Sequence, residues 1–479
     1  MLSIVQRSRT GLRSFCAREA AASFLASEES KADSFLMVAP FESEGPMTTK
    51  VRFSAIDRRK FLTTTAAAAL LAGVFPPKVV FGADKVVKIG FLAPLTGAVA
   101  AWGKPGLDGL HIWADRINGA GGIPIGDDKY KVEFVAYDDE YDPGKARTGA
   151  VKLIKEDGVK FIMMLGGDPW PGASPVAEKE KMLVSTLLPS DLTPETKMLV
   201  APCEVHPIYN VTGVEWLKEN KPDAKTAVIC AQDDSLGKPS VATYLAAFEA
   251  AGIKVLGDPI FFDPATTDFA PIMSKMLAEK PDILCLDTCY ADYVHPLTEQ
   301  AFQQGFKGTI ISCTADFYKK MIDKTSKEFM EGFIFQFPDF DDPALNEPQI
   351  NFKDPNGFYE EFKKRFGEGE WSAVSWEYAS IMDLWSDAAT KAGTANPEAV
   401  LTAMQAGGKG KHIFGEAEWW GKELFGIDNA LVGNWPVVVI KDGKARIQQY
   451  KSIPAWWAKN KDLMIKHMTA LNQMYFQRK

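Results

Sequence analysis

The sequence predicts an α/β protein of two lobes, each a doubly wound parallel sheet, and three observations carry that reading. The chain has 479 residues, of which 46% are apolar and 24% charged, enough for two or three domains with cores of their own. From Lys85 onward, short apolar runs of strand length alternate with stretches of helical periodicity. The same alternation opens again near Asn210. Strands this apolar, separated by helices, imply βαβ units with both sheet faces covered.

In the first lobe, 86–92 is a strand, and Leu107, Leu110, Ala114 and Ile117 then recur at helical spacing until the glycine-rich 118–122 stops the helix. A strand at 132–137 follows, then a helix over 145–155 with Ala146, Ala150, Val151 and Ile154 inward, and a strand at 159–165. A helix at 173–181 and an apolar run at 182–187 continue the series. The second lobe reads as a helix at 211–218, strand 227–231, helix 240–251, strand 254–262, helix 269–278, strand 282–286, helix 293–304 and strand 308–312. Further helices are expected at 377–392 and 397–406, and a hairpin turns at Asp442-Gly443 between 435–441 and 445–450. The stretch 456–477 reads as an amphipathic helix.

Upstream, Asp57-Arg58-Arg59-Lys60-Phe61-Leu62 precedes an Ala-rich apolar run and Pro76-Pro77. That order, with small residues near Gly82 or Ala83, reads as a cleaved export signal over 47–83, and the paired arginines resemble a twin-arginine signal. Residues 1–46 read as a start-site extension, with translation expected from Met47. A net charge of -8 without a sustained basic run argues against nucleic acid as a partner. Once the presequence is removed, Cys203, Cys230, Cys285, Cys289 and Cys313 leave at least one thiol unpaired, and no cysteine or histidine spacing suggests a metal. No P-loop, GxSxG, HExxH or complete GxGxxG occurs, so neither a catalytic set nor a cofactor is expected. The acidic stretch at 138–142 is expected to be a solvated loop capping the next helix.

The ordered blocks Ile89-Gly90-Phe91-Leu92-Ala93-Pro94-Leu95-Thr96-Gly97, Trp102-Gly103, Asn118-Gly119-Ala120-Gly121-Gly122, Tyr137-Asp138-Asp139 and Glu331-Gly332-Phe333 resemble the leucine/isoleucine/valine-type periplasmic binding proteins of ABC importers. The resemblance implies two lobes joined by three hinge crossovers, placed near 206, 335 and 415. Lobe 1 would then be 84–205 plus 335–415, lobe 2 would be 206–334 plus 416–453, and 454–479 a further helix. Carried over residue by residue, the family's pocket falls on Trp102, Gly167, Asp168, Trp170, Leu188, Pro189 and Ser190 from the first lobe and Leu236, Tyr290, Thr314 and Asp316 from the second. Relatives carry a Ser-rich carboxylate cradle where this chain has Gly166-Gly167-Asp168-Pro169-Trp170-Pro171. An acidic side chain there would repel a carboxylate, which argues against a plain α-amino acid, and Pro189 has no N–H to offer. Trp102, Trp170 and Tyr290 with Asp168 would suit a cation or an aromatic ring. Asp316 matches an ammonium anchor or else caps the following helix, and Trp371 and Trp376 read as core or hinge packing.

The resemblance implies a periplasmic receptor, not an enzyme, that hands a small organic solute to an inner-membrane permease. Export by the twin-arginine translocase and a monomeric state are expected with it. A sensor built on the same two-lobed module, or an amidohydrolase, are the alternatives.

Overall fold

The computed structural model describes residues 85–97, 99–287 and 290–478. The export signal, the start-site extension and the side chain of Cys289 lie outside them. Two sheets organise the chain. The first runs Ile123–Ile125, Asp128–Asp138, Lys85–Ala93, Ile162–Met164, Val184–Ser185, Leu199–Val200 across its width. All its pairings are parallel except the hairpin of the first two strands. Ile89, Phe91, Leu92 and Ala93 on the central strand are fully buried on both faces, which is why this strand reads as an unbroken apolar run.

In the second sheet Thr226–Gln232 pairs on one side with Lys254–Val255 and Ile260–Phe262 and on the other with Ile283–Leu286, followed by Thr309–Ser312 and Ile334–Phe335. An antiparallel strand, Ala430–Lys441, then pairs with Ile334–Phe335, and its hairpin partner is Lys444–Ser452. The family-type fold of two α/β lobes is thus present.

Four details differ from the sequence reading. The expected single strand at 254–262 is two, interrupted at Gly257, whose φ of +66° is the left-handed turn conformation. Val151 faces solvent at 40% exposure while Ala146 and Ala150 are buried, because the helix Pro143–Lys152 tightens its apolar face to small residues before a wider turn at Leu153–Asp157. The helix expected to 477 ends earlier, as Ile453–Ala470. A helix at Pro355–Phe366, capped by Asp354 through the Gly357 amide, and a hairpin of Lys409–His412 with Gly415–Trp420 complete the fold.

Helix Lys104–Gly119 lies so close to helix Val374–Ala392 that a β-carbon at Gly109 would stand 1.8 Å from the Ser375 carbonyl oxygen. Only glycine permits that approach, and Trp113 Nε1 adds a 2.7 Å hydrogen bond to Asp383.

The chain passes between the sheets three times. After Leu199–Val200 it leads into helix Asn210–Asn220, and after Ile334–Phe335 it returns toward the first lobe. The third passage lies inside a strand: Ala430 bridges Ala201 at the edge of the first sheet, while Val439 pairs with Ile334 in the second. Asn429 Nδ2 also donates to the Leu199 carbonyl at 2.8 Å. The passage therefore falls within Ala430–Lys441 and not near 415, because Gly415–Trp420 pairs only with the half of that strand nearest the first sheet.

Each passage supplies one aromatic ring to a common cluster. Tyr209 stacks on Trp435 with centroids 5.3 Å apart, and Phe337 meets both edge-on at 5.7 and 6.2 Å. Trp376 packs beside Phe337 and stacks on Phe340 at 5.1 Å, in keeping with the hinge packing expected of it. Trp435 is fully buried, so Trp435→Ala should cost about 3–5 kcal/mol of stability, read as a lower midpoint in urea unfolding. Trp435→Phe should cost less than half of that.

Candidate ligand-binding cleft

The candidate site lies where the carboxyl ends of the two sheets face each other. From the first lobe come the loops after Lys85–Ala93, Asp128–Asp138, Ile162–Met164 and Val184–Ser185, and from the second those after Thr226–Gln232, Ile283–Leu286 and Thr309–Ser312. Helices Trp170–Lys179, Gly237–Ala251 and Ala291–Gln303 begin in these loops. Their N-terminal ends carry partial positive charge.

Among the described residues, three polar or aromatic contacts join the lobes around these strand ends. Ser235 Oγ donates to Asp168 Oδ1 at 2.9 Å. Tyr141 and Tyr290 meet edge to face, with ring centroids 6.4 Å apart. The Ala373 amide, at the start of helix Val374–Ala392, donates to Asp316 Oδ1 at 3.1 Å. Asp316 therefore does not cap the following helix. That helix, Tyr318–Lys324, starts behind Phe317 with no side-chain cap, and the Asp316 carboxyl reaches to the other lobe instead.

Gly166 and Gly167 both take positive φ, +95° and +73°. A β-carbon on Gly167 would come within 2.5 Å of the Tyr141 hydroxyl and 3.4 Å of Ser235 Oγ, so glycine is required for the loop to fit between the lobes. The Gly167 amide donates to both carboxyl oxygens of half-buried Asp191, at 3.2 and 3.0 Å. Asp191 also lies 2.8 Å from Thr186 Oγ1, which accepts from the Leu188 amide at 3.0 Å. The Gly167 and Leu188 amides are thus occupied within the protein. On the other side, Asp234 accepts from the Leu236 and Gly237 amides, both at 2.9 Å.

The structure brings Gly167, Asp168, Leu188 and Tyr290 into this cluster. Trp102, Trp170, Leu236 and Thr314 are all buried, and among the described residues the Trp102 indole N–H has no hydrogen-bond partner. Pro189 opens a short turn, and the Ser190 carbonyl accepts from Arg478. Trp170 is only 5% exposed, so its truncation would cost stability as well as any contact with a ligand.

The acidic stretch divides in two. Asp142 caps helix Pro143–Lys152 through the Lys145 amide at 2.8 Å as expected, whereas Asp139 is buried and Tyr141 turns into the cleft. Sequence reasoning passed over Tyr141, Asp191 and Ser235. The one legible signal was an aromatic residue embedded in an acidic turn.

Deeper toward the crossings, Glu204 and Glu377 are both fully buried and interact directly, and Tyr209 donates to Glu204 Oε1 at 2.8 Å. Two carboxyl groups in that contact hold a proton between them. Burial pushes Glu204 up to about 8 and Glu377 well up, with Glu204 and nearby Asp316 adding to the effect on Glu377. His206 beside them is pushed down to about 3 by burial and stays neutral. Asp316 itself is pushed up to about 6 by burial and lines a small pocket with Phe317, Tyr318, Phe337, Tyr359 and Trp371. Among the described residues no cluster of acidic, histidine or cysteine groups is arranged to hold a metal ion.

The periplasmic binding protein family matches residues 86–445. The chain belongs to this family. It is similar to the Leu/Ile/Val-binding protein BraC3 of Rhizobium johnstonii, at 29% identity over 230 residues, which covers 47% of this chain and 59% of that protein. Two solved structures share the fold. One is a solute-binding protein of an ABC transporter from Rhodopseudomonas palustris HaA2 in complex with p-hydroxybenzoic acid, at 17% identity and a TM-score of 0.64, covering 77% of this chain and 98% of that one. The other is the leucine-binding protein LivK of Thermotoga maritima, at 20% identity and a TM-score of 0.61, covering 76% and 98%. As in other periplasmic binding proteins, the cleft lies at the carboxyl ends of the strands of two α/β lobes.

The buried carboxyls of this binding protein make its stability depend on pH. Glu204, Glu377 and Asp191, the last pushed up to about 7 by burial, take up protons more readily folded than unfolded. Their contribution is lost as pH rises through these raised values. The melting temperature should therefore fall between pH 6.5 and 8.5, and Glu377→Gln should flatten that slope. A melting temperature constant across this range would show that the pair does not hold its proton.

Proposed function

We propose that this chain is the exported solute receptor of an ABC importer, and that it binds a small organic solute by closing its two lobes. The observation that carries the reading is the set of contacts joining the lobes at the strand ends: Asp168 with Ser235, Tyr141 with Tyr290, and Asp316 with the Ala373 amide. These are groups that opening would part and a bound solute would hold together. The lobes in this reading are 84–205 with 335–430, and 206–334 with the part of the chain after 436. The family relation favours binding over catalysis. An inner-membrane permease is the proposed partner, and the receptor acts as a monomer.

The ligand class follows from what the cleft offers. Leucine is named for BraC3 and LivK, and p-hydroxybenzoic acid for the Rhodopseudomonas protein. Here the Gly167 and Leu188 amides are already engaged and Asp168 stands in the same loop. An amine, amide or aromatic compound therefore fits better than a plain α-amino acid, whose carboxylate would lack a donor cradle. Trp102, Trp170, Leu236, Tyr290, Thr314 and Asp316 are the proposed contacts.

Small-angle scattering and thermal unfolding against a panel of leucine, p-hydroxybenzoate, benzamide and benzylamine test this. A bound compound should reduce the radius of gyration and, at a hundredfold excess over its Kd, stabilise by about 2.7 kcal/mol. Tyr290→Ala should weaken that compound about thirtyfold, and Asp168→Asn should weaken a cationic ligand while sparing an anionic one. Tight binding of leucine that is indifferent to both substitutions would refute the site, and turnover of a bound compound would refute the receptor.

Export by the twin-arginine route, with cleavage near Gly82 or Ala83, is proposed from Arg58-Arg59 ahead of the apolar run. Replacing both arginines by lysine should leave precursor in the cytoplasm. Undiminished delivery to the periplasm would show that another route is used.

A further inference from the structure

The segment that follows the last helix joins the two lobes at a place the three passages do not. Helix Ile453–Ala470 packs on the second lobe, against helices Gly237–Ala251 and Asn210–Asn220. Lys466 Nζ bonds Glu249 at 2.8 and 2.7 Å, and His467 Nε2 lies 2.6 Å from the same carboxylate. The eight residues 471–478 then cross to the first-lobe side. The Tyr475 amide donates to the Leu424 carbonyl at 3.1 Å, and Met474 is buried. A β-carbon on Gly426 would come within 3.0 Å of the Tyr475 ring, so the two segments are in close contact.

Arg478 ends this crossing beside the candidate cleft. Its guanidinium lies 5.7 Å over the Phe425 ring, donates through Nη1 to the Ser190 carbonyl, and donates through Nη2 to the Leu192 carbonyl at 3.1 Å. Between those two carbonyls stands Asp191, whose carboxylate holds the Gly167 amide. One guanidinium thus fixes both sides of the residue on which the Gly166–Gly167 turn is hung. Such a planar fork suits two fixed acceptors better than a flexible ammonium does.

We propose that residues 471–478 strap the second lobe to the first and that Arg478 is a positioning residue for the ligand-facing loops at 166–170 and 186–191. The strap lies beyond the part of the chain that the family matches, which ends at residue 445. The proposal rests on reading these loops as ligand-facing, but its test needs no ligand. Failure of the strap would therefore leave the receptor reading intact.

The charged groups facing Asp191 are Arg478, which favours its carboxylate, and Asp168, which opposes it. Burial pushes Asp191 up to about 7 and pushes Arg478 down to about 10. Loss of the guanidinium charge should therefore move the Asp191 titration further upward.

The experiment uses the full mature chain with Arg478→Gln and Arg478→Lys, followed by amide hydrogen exchange and by the carboxyl-carbon NMR titration of Asp191. In Arg478→Gln the Gly167 amide should exchange about tenfold faster and the Asp191 midpoint should rise, while amides of the strand Ile283–Leu286 stay as protected as before. Arg478→Lys should restore the midpoint and only part of the Gly167 protection, because an ammonium keeps the charge but not the two-pronged reach. Unchanged Gly167 exchange together with an unchanged Asp191 titration in Arg478→Gln would overturn the proposal. If Arg478→Gln loosens the whole fold, Arg478→Lys decides, and Gly167 protection equal to the parent's would overturn it.

Discussion

The stacking of Tyr209 on Trp435, closed by Phe337, is the contact on which the two-lobed arrangement depends. Each ring belongs to a different passage of the chain between the sheets, so the cluster converts three separate connections into one packed element. Aromatic rings suit this position because they bury a large apolar area with only two side-chain torsions to fix. Trp376, Phe340 and Phe414 extend the packing from the first-lobe helix and from the hairpin beyond. A passage that lies inside the strand Ala430–Lys441 adds stiffness that a loop would not supply, since that strand is hydrogen-bonded along both halves.

With the crossings held in this way, the cleft is defined by how its polar groups are satisfied. In the first-lobe loops the Gly167 and Leu188 amides are spent on Asp191 and Thr186, and in the second-lobe loop the Leu236 and Gly237 amides are spent on Asp234. A loop whose amides are internally bonded is rigid but offers few donors to a solute, so in the proposed reading recognition passes to side chains: Trp102, Asp168, Tyr141, Tyr290 and Asp316. Glu204 and Glu377 favour the protonated form because burial makes charge expensive there and no basic side chain offsets it among the described ion pairs. Glu204 and Glu377 consequently behave as a proton-holding pair rather than as a fixed double charge.

The segment beyond the family's span shows how an added element can act on a shared site. Its helix is anchored by Glu249 on the second lobe and its far end by carbonyls of the first. The contact falls on backbone groups flanking Asp191, which makes the loop's geometry depend on a residue distant in sequence.

The sequence by itself determined the alternation of strands and helices, since strands buried on both faces and helices buried on one leave periodicities that can be read locally. It also determined the cap at Asp142 and the hairpin at Asp442-Gly443, both short-range events. The order of family blocks pointed to Gly167, Asp168 and Tyr290, which lie where the lobes meet. Tertiary structure alone decided where the third passage runs, because a strand that serves two sheets looks in sequence like any other strand. It decided that Asp316 reaches the Ala373 amide rather than capping its own helix, that Asp191 consumes the Gly167 amide, and that Glu204 meets Glu377. Each of these joins residues separated by 24 to 173 positions. Such pairings carry no local signature, because the energy that selects them is the satisfaction of polar groups once burial has removed water.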